Sequence, residues 1–277
     1  MRIIVSYSGG LTSYEAGRRA MALHGSDSVE WWFCDTLSED PDLYRFTRDI
    51  EKLHGIKVRR LVAKELTESQ DSTPGAALWD LFDSQGMIAN TRADFCSRIA
   101  KRDLFRDTLA DECDADDTMI VIGMDEIHDC DRIKRTRSYF KAYGWDTWFP
   151  LTEDPIVFKD EIAAGLAAHG IDQPMLYDIG APHNNCGGFC VKAGMGQFSW
   201  LLKEMPDRYA YHERREQEFR SRTGKDVSIL RDRRGGQTRP LTLERLRERI
   251  EAGERFKMKE SSSCSCFSPQ LELFDAS

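Results

Sequence analysis

Short apolar runs, rich in β-branched and aromatic residues, mark the first half of the chain. Each predicts a buried strand, and they lie at residues 3–5, 29–33, 58–62 and 119–122. Segments with apolar residues at helical spacing lie between them, at residues 13–24, 41–54 and 97–112. Strands that alternate with helices form right-handed βαβ units. The pattern therefore predicts an α/β fold, a doubly wound parallel sheet covered by helices on both faces.

The second half of the chain predicts further helices and a hairpin. Helical spacing recurs at residues 158–169, 195–205 and 208–222. The sequence Arg-Arg-Gly-Gly-Gln-Thr-Arg at residues 233–239 predicts a turn between two polar arms. Because arginine becomes frequent after about residue 205, we expect a main domain over residues 1–205. Residues 206–277 would form a small Arg-rich helical and hairpin appendage that ends in a Cys-Ser-Cys tail.

The appendage is locally basic. Between Arg208 and Arg249 there are 13 Arg or Lys residues and seven Asp or Glu residues. Two interpretations fit this composition: a solvated helix face crossed by ion pairs, or a platform for a phosphodiester backbone. Composition alone leaves both open.

Composition and charge narrow the class of protein. The 277-residue chain is 40% hydrophobic and 31% charged, as in ordinary globular proteins. No apolar run approaches the roughly 18 residues of a membrane span, and the first residues do not resemble a signal peptide. We therefore expect a cytoplasmic protein with no membrane partner. The formal net charge of −8 disfavours non-specific binding of nucleic acid by the whole surface.

Residues 8–13, Ser-Gly-Gly-Leu-Thr-Ser, follow the first predicted strand and open the first predicted helix. Open α/β sheets bind ligands at this position. Glycines let backbone amides approach an anion, hydroxyl groups add donors, and the helix N-terminus adds partial positive charge. The alternative is a plain turn between strand and helix. We assign phosphate or nucleotide binding to the small polar residues and glycines of this segment and to Ser6 just before it. The assigned residues are Ser6, Ser8, Gly9, Gly10, Thr12 and Ser13.

Two of the eight cysteines, Cys186 and Cys190, are separated by three residues that include a Gly-Gly pair. The glycines permit the tight backbone that turns both sulfurs toward one metal centre. A zinc site usually has a second matched pair, and Cys264-x-Cys266 is a poor tetrahedral chelate. An iron-sulfur cluster accepts scattered ligands more readily, so the spacing favours a cluster.

The loop at residues 8–13 resembles the pyrophosphate-binding loop of the PP-loop ATP pyrophosphatase superfamily, the adenine nucleotide alpha-hydrolase-like proteins. The family pattern is Ser-Gly-Gly-x-Asp-Ser/Thr, and Thr12 stands in place of the Asp. Phosphoadenosine phosphosulfate reductases have eroded the second glycine, whereas enzymes that cleave ATP keep it. The Gly9-Gly10 pair therefore implies ATP as the bound nucleotide.

Other segments are similar to the branch of that superfamily that contains phosphoadenosine phosphosulfate reductase-like and DNA-phosphorothioation sulfurtransferase-like proteins. The resemblance covers about residues 2–220 and implies a PP-loop nucleotide-binding domain. It implies further nucleotide contacts after the second and fourth strands, from Asp35, Thr36, Gly123 and Glu126. It also implies that Lys101 and Arg132 bind phosphate, although both fit ordinary surface charges as well.

Cys96, in a Cys-x-x-x-x-Lys segment that looks like one beside the active site of these relatives, is a third candidate ligand. It begins a predicted helix, a position that would lower the thiol pKa. A buried structural cysteine is the alternative. We predict a [4Fe-4S] cluster held by Cys96, Cys186, Cys190 and one of Cys264 or Cys266. The tail has a second interpretation, as a mobile carrier of a persulfide.

The resemblance implies an adenylating sulfurtransferase that uses ATP, Mg²⁺ and a [4Fe-4S] cluster. A nucleotide, nucleoside or nucleic-acid acceptor would be activated by AMP while pyrophosphate leaves, and sulfur from a cluster, a cysteine or a donor protein would then displace AMP. Cys96, Lys101 and Arg132 are the expected catalytic residues. One rival is a phosphoadenosine phosphosulfate reductase, which releases sulfite without splitting ATP. Another is a non-catalytic module that binds nucleotide or nucleic acid.

Overall fold

A computed structural model describes residues 1–258 and 265–267. Its central sheet has five parallel strands in the order β3-β2-β1-β4-β5. The strands are β1 (Arg2–Tyr7), β2 (Val29–Cys34), β3 (Val58–Leu61), β4 (Thr118–Ile122) and β5 (Asp146–Trp148). The chain leaves β1 on one side to form β2 and β3, then crosses back to place β4 on the other side. The carboxyl ends of β1 and β4 therefore flank the switch point at which such sheets bind ligands.

Both faces of the sheet are covered by helices, which confirms the predicted doubly wound α/β class. Alternate side chains of β1 point to opposite faces. Ile3 and Val5 pack in a cluster with α1 (Leu11–His24), α2 (Pro41–His54) and α7 (Lys159–Ala167). Ile4 packs on the other face with α5 (Leu104–Glu112) and α6 (Glu126–Ala142).

The ends of α2 show how local sequence sets a helix boundary. Asp40 accepts a hydrogen bond from the Asp42 amide at 3.0 Å and so caps the first turn, and Pro41 supplies a preset φ there. Gly55 ends the helix in the left-handed region, with φ of +66°. The predicted bounds of this helix are confirmed.

The helix predicted at residues 97–112 is instead assembled from three pieces. A single turn, α4 (Phe95–Ser97), runs into a π-helical segment (Arg98–Asp103), which continues as α5. The π-helical widening is unusual and is often found at functional sites. It carries Lys101 and Arg102, two buried cations whose partners are described below.

The structure adds elements that the sequence pattern does not predict. β5 is only three residues long and contains the polar pair Asp146 and Thr147, so no apolar run marks it. α6 follows β4, and its charged residues are distributed around the helix without a wide apolar stripe, so the pattern does not predict it. The remaining unpredicted helices are α3 (Ala76–Gln85), the single turn α8 (Met175–Asp178) and α11 (Leu243–Glu251).

The C-terminal part contains α9 (Met195–Glu204), α10 (Pro206–Thr223), an antiparallel hairpin and α11 (Leu243–Glu251). The predicted hairpin is confirmed, with strands β6 (Leu230–Asp232) and β7 (Arg239–Leu241). One apolar cluster includes residues from both sides of position 205, such as Phe198 and Phe219. The division into two domains stays a prediction. Within the described residues, no helix is both long and apolar enough to cross a bilayer.

Candidate active site

The glycine loop lies between β1 and α1 and is held closed by Ser13. The Ser13 hydroxyl donates to the Gly10 carbonyl at 2.9 Å, accepts from the Ser8 amide at 3.1 Å and lies 3.0 Å from the Ser8 hydroxyl. Gly9 has φ of +76°, which favours glycine. Gly10 caps α1 without a side-chain hydrogen bond. The first amides of α1 consequently face the loop as donors for an anion.

The loop after β4 supports the first turn of α1 from behind. A Cβ atom on Gly123 would lie 2.5 Å from the Thr12 carbonyl oxygen and 2.6 Å from the Ser13 amide nitrogen. Both contacts are with backbone, which cannot rotate away. Gly123 therefore permits the close approach of β4 to α1. Ser6 is buried within β1, directly below the loop.

Asp35 and Thr36, predicted to border the nucleotide, lie after β2 and are already engaged by protein groups. Asp35 accepts from the Leu37 amide at 2.8 Å, the Tyr44 hydroxyl at 2.9 Å and the Arg60 Nε at 2.8 Å. Thr36 donates to Glu39 at 2.9 Å. Their contact with a nucleotide stays a prediction, and their observed role is to hold the turn between β2 and α2. The side chain of Glu126 lies outside the described residues.

Glu39 connects the predicted nucleotide side to the cysteines. Its carboxylate lies 3.6 Å from the Lys101 ammonium nitrogen and accepts a hydrogen bond from the Cys186 amide. Burial raises the pKa of Glu39, and the charge of Lys101 opposes that shift. Lys101 is itself only 4% exposed. The predicted phosphate-binding lysine is therefore a buried residue of the site rather than an ordinary surface charge.

A second lysine, absent from our sequence predictions, joins this group. Lys159, at the start of α7, donates to the Pro182 carbonyl oxygen at 2.5 Å. Burial lowers the pKa of Lys159 to about 8, and Asp125 and Asp129 oppose that shift. The neighbouring His183 has a pKa lowered to about 4, chiefly by burial. A neutral imidazole is therefore expected at neutral pH.

Three cationic side chains lie near His183. Besides burial, the charges of Lys159, Lys101 and Arg132 each lower its pKa. Arg132 extends from α6 and forms an ion pair with Asp129. These basic groups come from three separate helical segments. All three lie close enough to His183 to affect its pKa, and positive charges grouped in this way can neutralise phosphate.

A direct hydrogen bond links the glycine loop to the segment that carries the cysteine pair. The Asn184 side-chain amide donates to the Gly9 carbonyl oxygen at 2.9 Å. Asn184 is buried and lies two residues before Cys186. The adjoining Asn185 and Cys186 are also buried. The sequence signal that could have identified this connection is the His-Asn-Asn run directly before the first cysteine of the pair.

The turn between Cys186 and Cys190 has the tight backbone that its glycines predict. Cys186, Gly187 and Gly188 all have positive φ, at +48°, +56° and +83°. A non-glycine residue in this region costs on the order of 1 kcal/mol or more, so surrounding contacts must hold Cys186 there. A Cβ atom on Gly187 would lie 2.2 Å from Pro74 Cβ. The hydrogen bond from the Cys186 amide to Glu39 fixes the start of the turn.

The four predicted ligand cysteines that the structure describes are drawn together from distant parts of the chain. All are buried, and Cys190 and Cys266 both affect the pKa of Cys96 and of Cys186. Cys264 lies outside the described residues. Among residues 1–258 and 265–267, no group of three or more His, Cys, Asp or Glu side chains could hold a metal ion.

The predicted lowering of the Cys96 pKa is wrong. Burial raises the pKa of Cys96 to about 12, and Cys266, Cys190 and Asp94 reinforce the shift. Cys96 lies in the first turn of a helical run that continues through the π-helical segment into α5, so burial outweighs the stabilisation that a helix N-terminus gives a thiolate.

Most cations of the basic C-terminal segment are engaged in ion pairs. Arg215, for example, lies 3.1 Å from Asp80, and Arg247 lies 3.0 Å from Glu213. The arginines of this segment paired with carboxylates are Arg208, Arg215, Arg220, Arg222, Arg234, Arg245, Arg247 and Arg249. The observed contacts therefore favour the ion-paired surface over an open phosphodiester platform.

No protein-family model matches the chain, and no curated protein sequence matches it. Among solved structures, the fold is similar to the crystal structure of phosphoadenylyl-sulfate (PAPS) reductase from Candida auris, in a phosphate complex. The TM-score is 0.45 and the sequence identity is 13%, over 65% of this chain and 78% of that chain.

Proposed function

We propose that the protein is an ATP-dependent, adenylating sulfurtransferase that acts on a nucleotide or nucleic acid. The observation that carries this proposal is the 2.9 Å hydrogen bond between Asn184 and Gly9, which joins an anion-binding loop to a cysteine group. Phosphate chemistry and sulfur chemistry would thereby occupy one crevice. A loop or a cysteine group alone would support a simpler function.

In the proposed reaction the glycine loop binds the polyphosphate of ATP, and Mg²⁺ accompanies the nucleotide. Amides of the first turn of α1 would donate hydrogen bonds to the polyphosphate, and Lys101, Lys159 and Arg132 would offset the charge that develops as pyrophosphate leaves. The proposal requires the protein to hold these groups in position, so that nucleotide binding demands little reorganisation. Preorganised donors of this kind account for much of the rate enhancement in phosphoryl chemistry.

The cysteine group fits an iron-sulfur cluster in its chemistry. Four buried thiols from three chain segments would supply the four thiolates that a [4Fe-4S] cluster requires, from Cys96, Cys186, Cys190 and Cys266. Such a cluster, when bound, would supply a site for sulfur or electron transfer. Glu39 holds the Cys186 amide, and Asp94 lies among the thiols near Cys96.

The proposed chemistry has two balanced steps. An acceptor oxygen attacks the α-phosphorus of ATP, the bond to pyrophosphate breaks, and the acceptor becomes adenylated. A sulfide sulfur then bonds to the acceptor atom that carried this oxygen, and AMP leaves with the bonding electron pair and the oxygen.

The test is AMP formation from ATP labelled in the α-phosphate, using anaerobically purified protein, a sulfide donor and either tRNA or DNA. We expect AMP to form only with the correct acceptor and in proportion to thiolated product. Replacement of Cys190 by Ser should abolish thiolation while it leaves ATP binding within about threefold, because Cys190 is not part of the glycine loop. The same preparation is analysed for iron and acid-labile sulfide.

Other outcomes identify the rivals. Sulfite release from phosphoadenosine phosphosulfate and a thiol donor, without AMP formation from ATP, would contradict the proposal in favour of a reductase. Tight nucleotide binding without turnover of either substrate would favour a non-catalytic module.

A further inference from the structure

A short turn, Ser265–Phe267, packs against the face of the sheet that α5 and α6 cover. The Phe267 side chain is only 8% exposed and belongs to the apolar cluster on one face of the sheet. Its ring centroid lies 5.4 Å from that of Phe105 in an edge-to-face arrangement, and 6.5 Å from that of Phe140 in a stacked arrangement. Aromatic pairs at these separations add to the free energy of burial.

Polar contacts fix the backbone of the same turn. Arg102 donates to the Cys266 carbonyl oxygen at 2.8 Å, and the Thr136 hydroxyl donates to the Phe267 carbonyl oxygen at 3.4 Å. The Ser97 hydroxyl lies 3.3 Å from the Cys266 sulfur. These donors come from α4, the π-helical segment and α6. The turn is therefore held on several sides.

An ion network extends this attachment to the other cysteines. Arg102 also pairs with Asp94 at 2.9 Å, and Asp94 pairs with Lys192 at 2.8 Å. Asp94 lies two residues before Cys96, and Lys192 lies two residues after Cys190. One carboxylate consequently connects the backbones that carry three of the four thiols.

We propose that Phe267 is a positioning residue that anchors Cys266 among the other thiols, so the C-terminal turn is a fixed part of the site. A sulfur carrier would have to leave the site in each cycle, and for Cys266 to leave, Phe267 must withdraw from the core and Arg102 must lose a buried acceptor. This inference deepens the proposed function, because the turn would complete the cluster's ligand set. The docking itself does not depend on a cluster.

The test compares the reactivity of Cys266 with that of Cys130, which is exposed on α6 and serves as an internal reference. The full-length protein, as purified and after iron chelation, is treated with iodoacetamide, and tandem mass spectrometry assigns the label to each cysteine. We expect Cys266 to react roughly tenfold or more slowly than Cys130 in both states, because a buried thiol reacts only after local opening. Equal reactivity of the two thiols in the chelated protein would overturn the proposal.

Variants then separate anchoring from general stability. Phe267→Ala should raise the alkylation rate of Cys266 by roughly tenfold or more and lower bound iron, and Phe267→Leu should restore most of the protection. Phe46→Ala is the matched control, because Phe46 is also buried but lies in the cluster on the opposite face of the sheet. A Phe46→Ala variant that exposes Cys266 as much as Phe267→Ala does would contradict a specific anchor.

The cluster and the Phe267 anchor can be rejected independently of each other. Protection of Cys266 in protein that never contains iron would reject the cluster and keep the anchor. Iron at full occupancy with a reactive Cys266 would keep a cluster and reject Cys266 as its fixed ligand.

Discussion

At the scale of single residues, the site depends on glycines whose missing side chains allow close contacts. Gly9 adopts a left-handed conformation, and Gly123 lets β4 approach the backbone of α1. The two positions constrain the loop from different directions. The sequence motif identifies Gly9 directly, whereas the role of Gly123 as a support for the loop is visible only after the strands are placed side by side.

The first prediction concerns Gly123→Ala. The added Cβ would meet backbone atoms of Thr12 and Ser13 at 2.5 and 2.6 Å, so the first turn of α1 must shift. We expect ATP affinity, measured by isothermal titration calorimetry, to fall by roughly tenfold or more, because the backbone amides of the first turn would no longer point at the same phosphate.

Gly165→Ala is the matched control for this substitution. Gly165 lies within α7, and a Cβ there meets no atom within 4 Å. Alanine favours a helix by about 1 kcal/mol over glycine, so this variant should bind ATP normally and be slightly more stable. Equal ATP affinity in the two variants would contradict the role given to Gly123.

Several site residues could not be predicted because tertiary contacts alone give them a role. Glu39, Lys159 and Asn184 come from three different segments, and the sequence beside each does not show which groups it contacts. Lys101 was assigned to phosphate from a resemblance, and the structure adds that it is buried beside Glu39. The pKa expected for Cys96 was wrong because burial, which sequence position does not report, outweighs the effect of the helix N-terminus.

At the scale of elements, helices and strands with a regular apolar pattern were predicted well, and those without one were predicted poorly. The strands with continuous β-branched or aromatic runs and the well-capped α2 were identified from sequence. β5 and α6 were missed because neither has an apolar period. β5 is positioned by its pairing with β4, and α6 packs against β5. The hairpin was predicted from its Gly-Gly turn.

The second prediction concerns Glu216, which joins α10 to the hairpin and to α11. It accepts from the Ile229 amide at 3.0 Å and the Leu243 amide at 2.6 Å. Burial raises the pKa of Glu216 from 4.5 to about 7, although these backbone hydrogen bonds oppose the shift. The folded protein therefore holds this proton more tightly than the unfolded chain. Its contribution to stability is greatest below pH 4.5 and is lost as pH rises through about 7.

Urea unfolding of the wild type and of Glu216→Gln, at pH 5 and at pH 8, measures this contribution. The glutamine variant cannot titrate at this position. The free energy of unfolding of the wild type minus that of the variant should therefore be roughly 2 kcal/mol larger at pH 5 than at pH 8. A stability difference that is the same at both pH values, or larger at pH 8, would show that Glu216 titrates normally.

At the scale of the whole molecule, the fold brings the glycine loop and the segment with the cysteine pair together at one edge of the sheet. The switch point between β1 and β4 places the glycine loop there, and the Asn184 contact places the cysteine segment against it. The docked turn at Cys266 adds a thiol from the far end of the described chain. Sequence patterns identified the loop and three cysteines separately, and only the fold relates them in space.

A crystal structure with a non-hydrolysable ATP analogue and Mg²⁺, grown from anaerobic protein, tests the central claim most directly. The account predicts the polyphosphate on the amides of residues 9–13, with Lys101, Lys159 and Arg132 on its far side and the cysteine group adjoining it. A nucleotide bound elsewhere, with the glycine loop making no phosphate contact, would contradict the account.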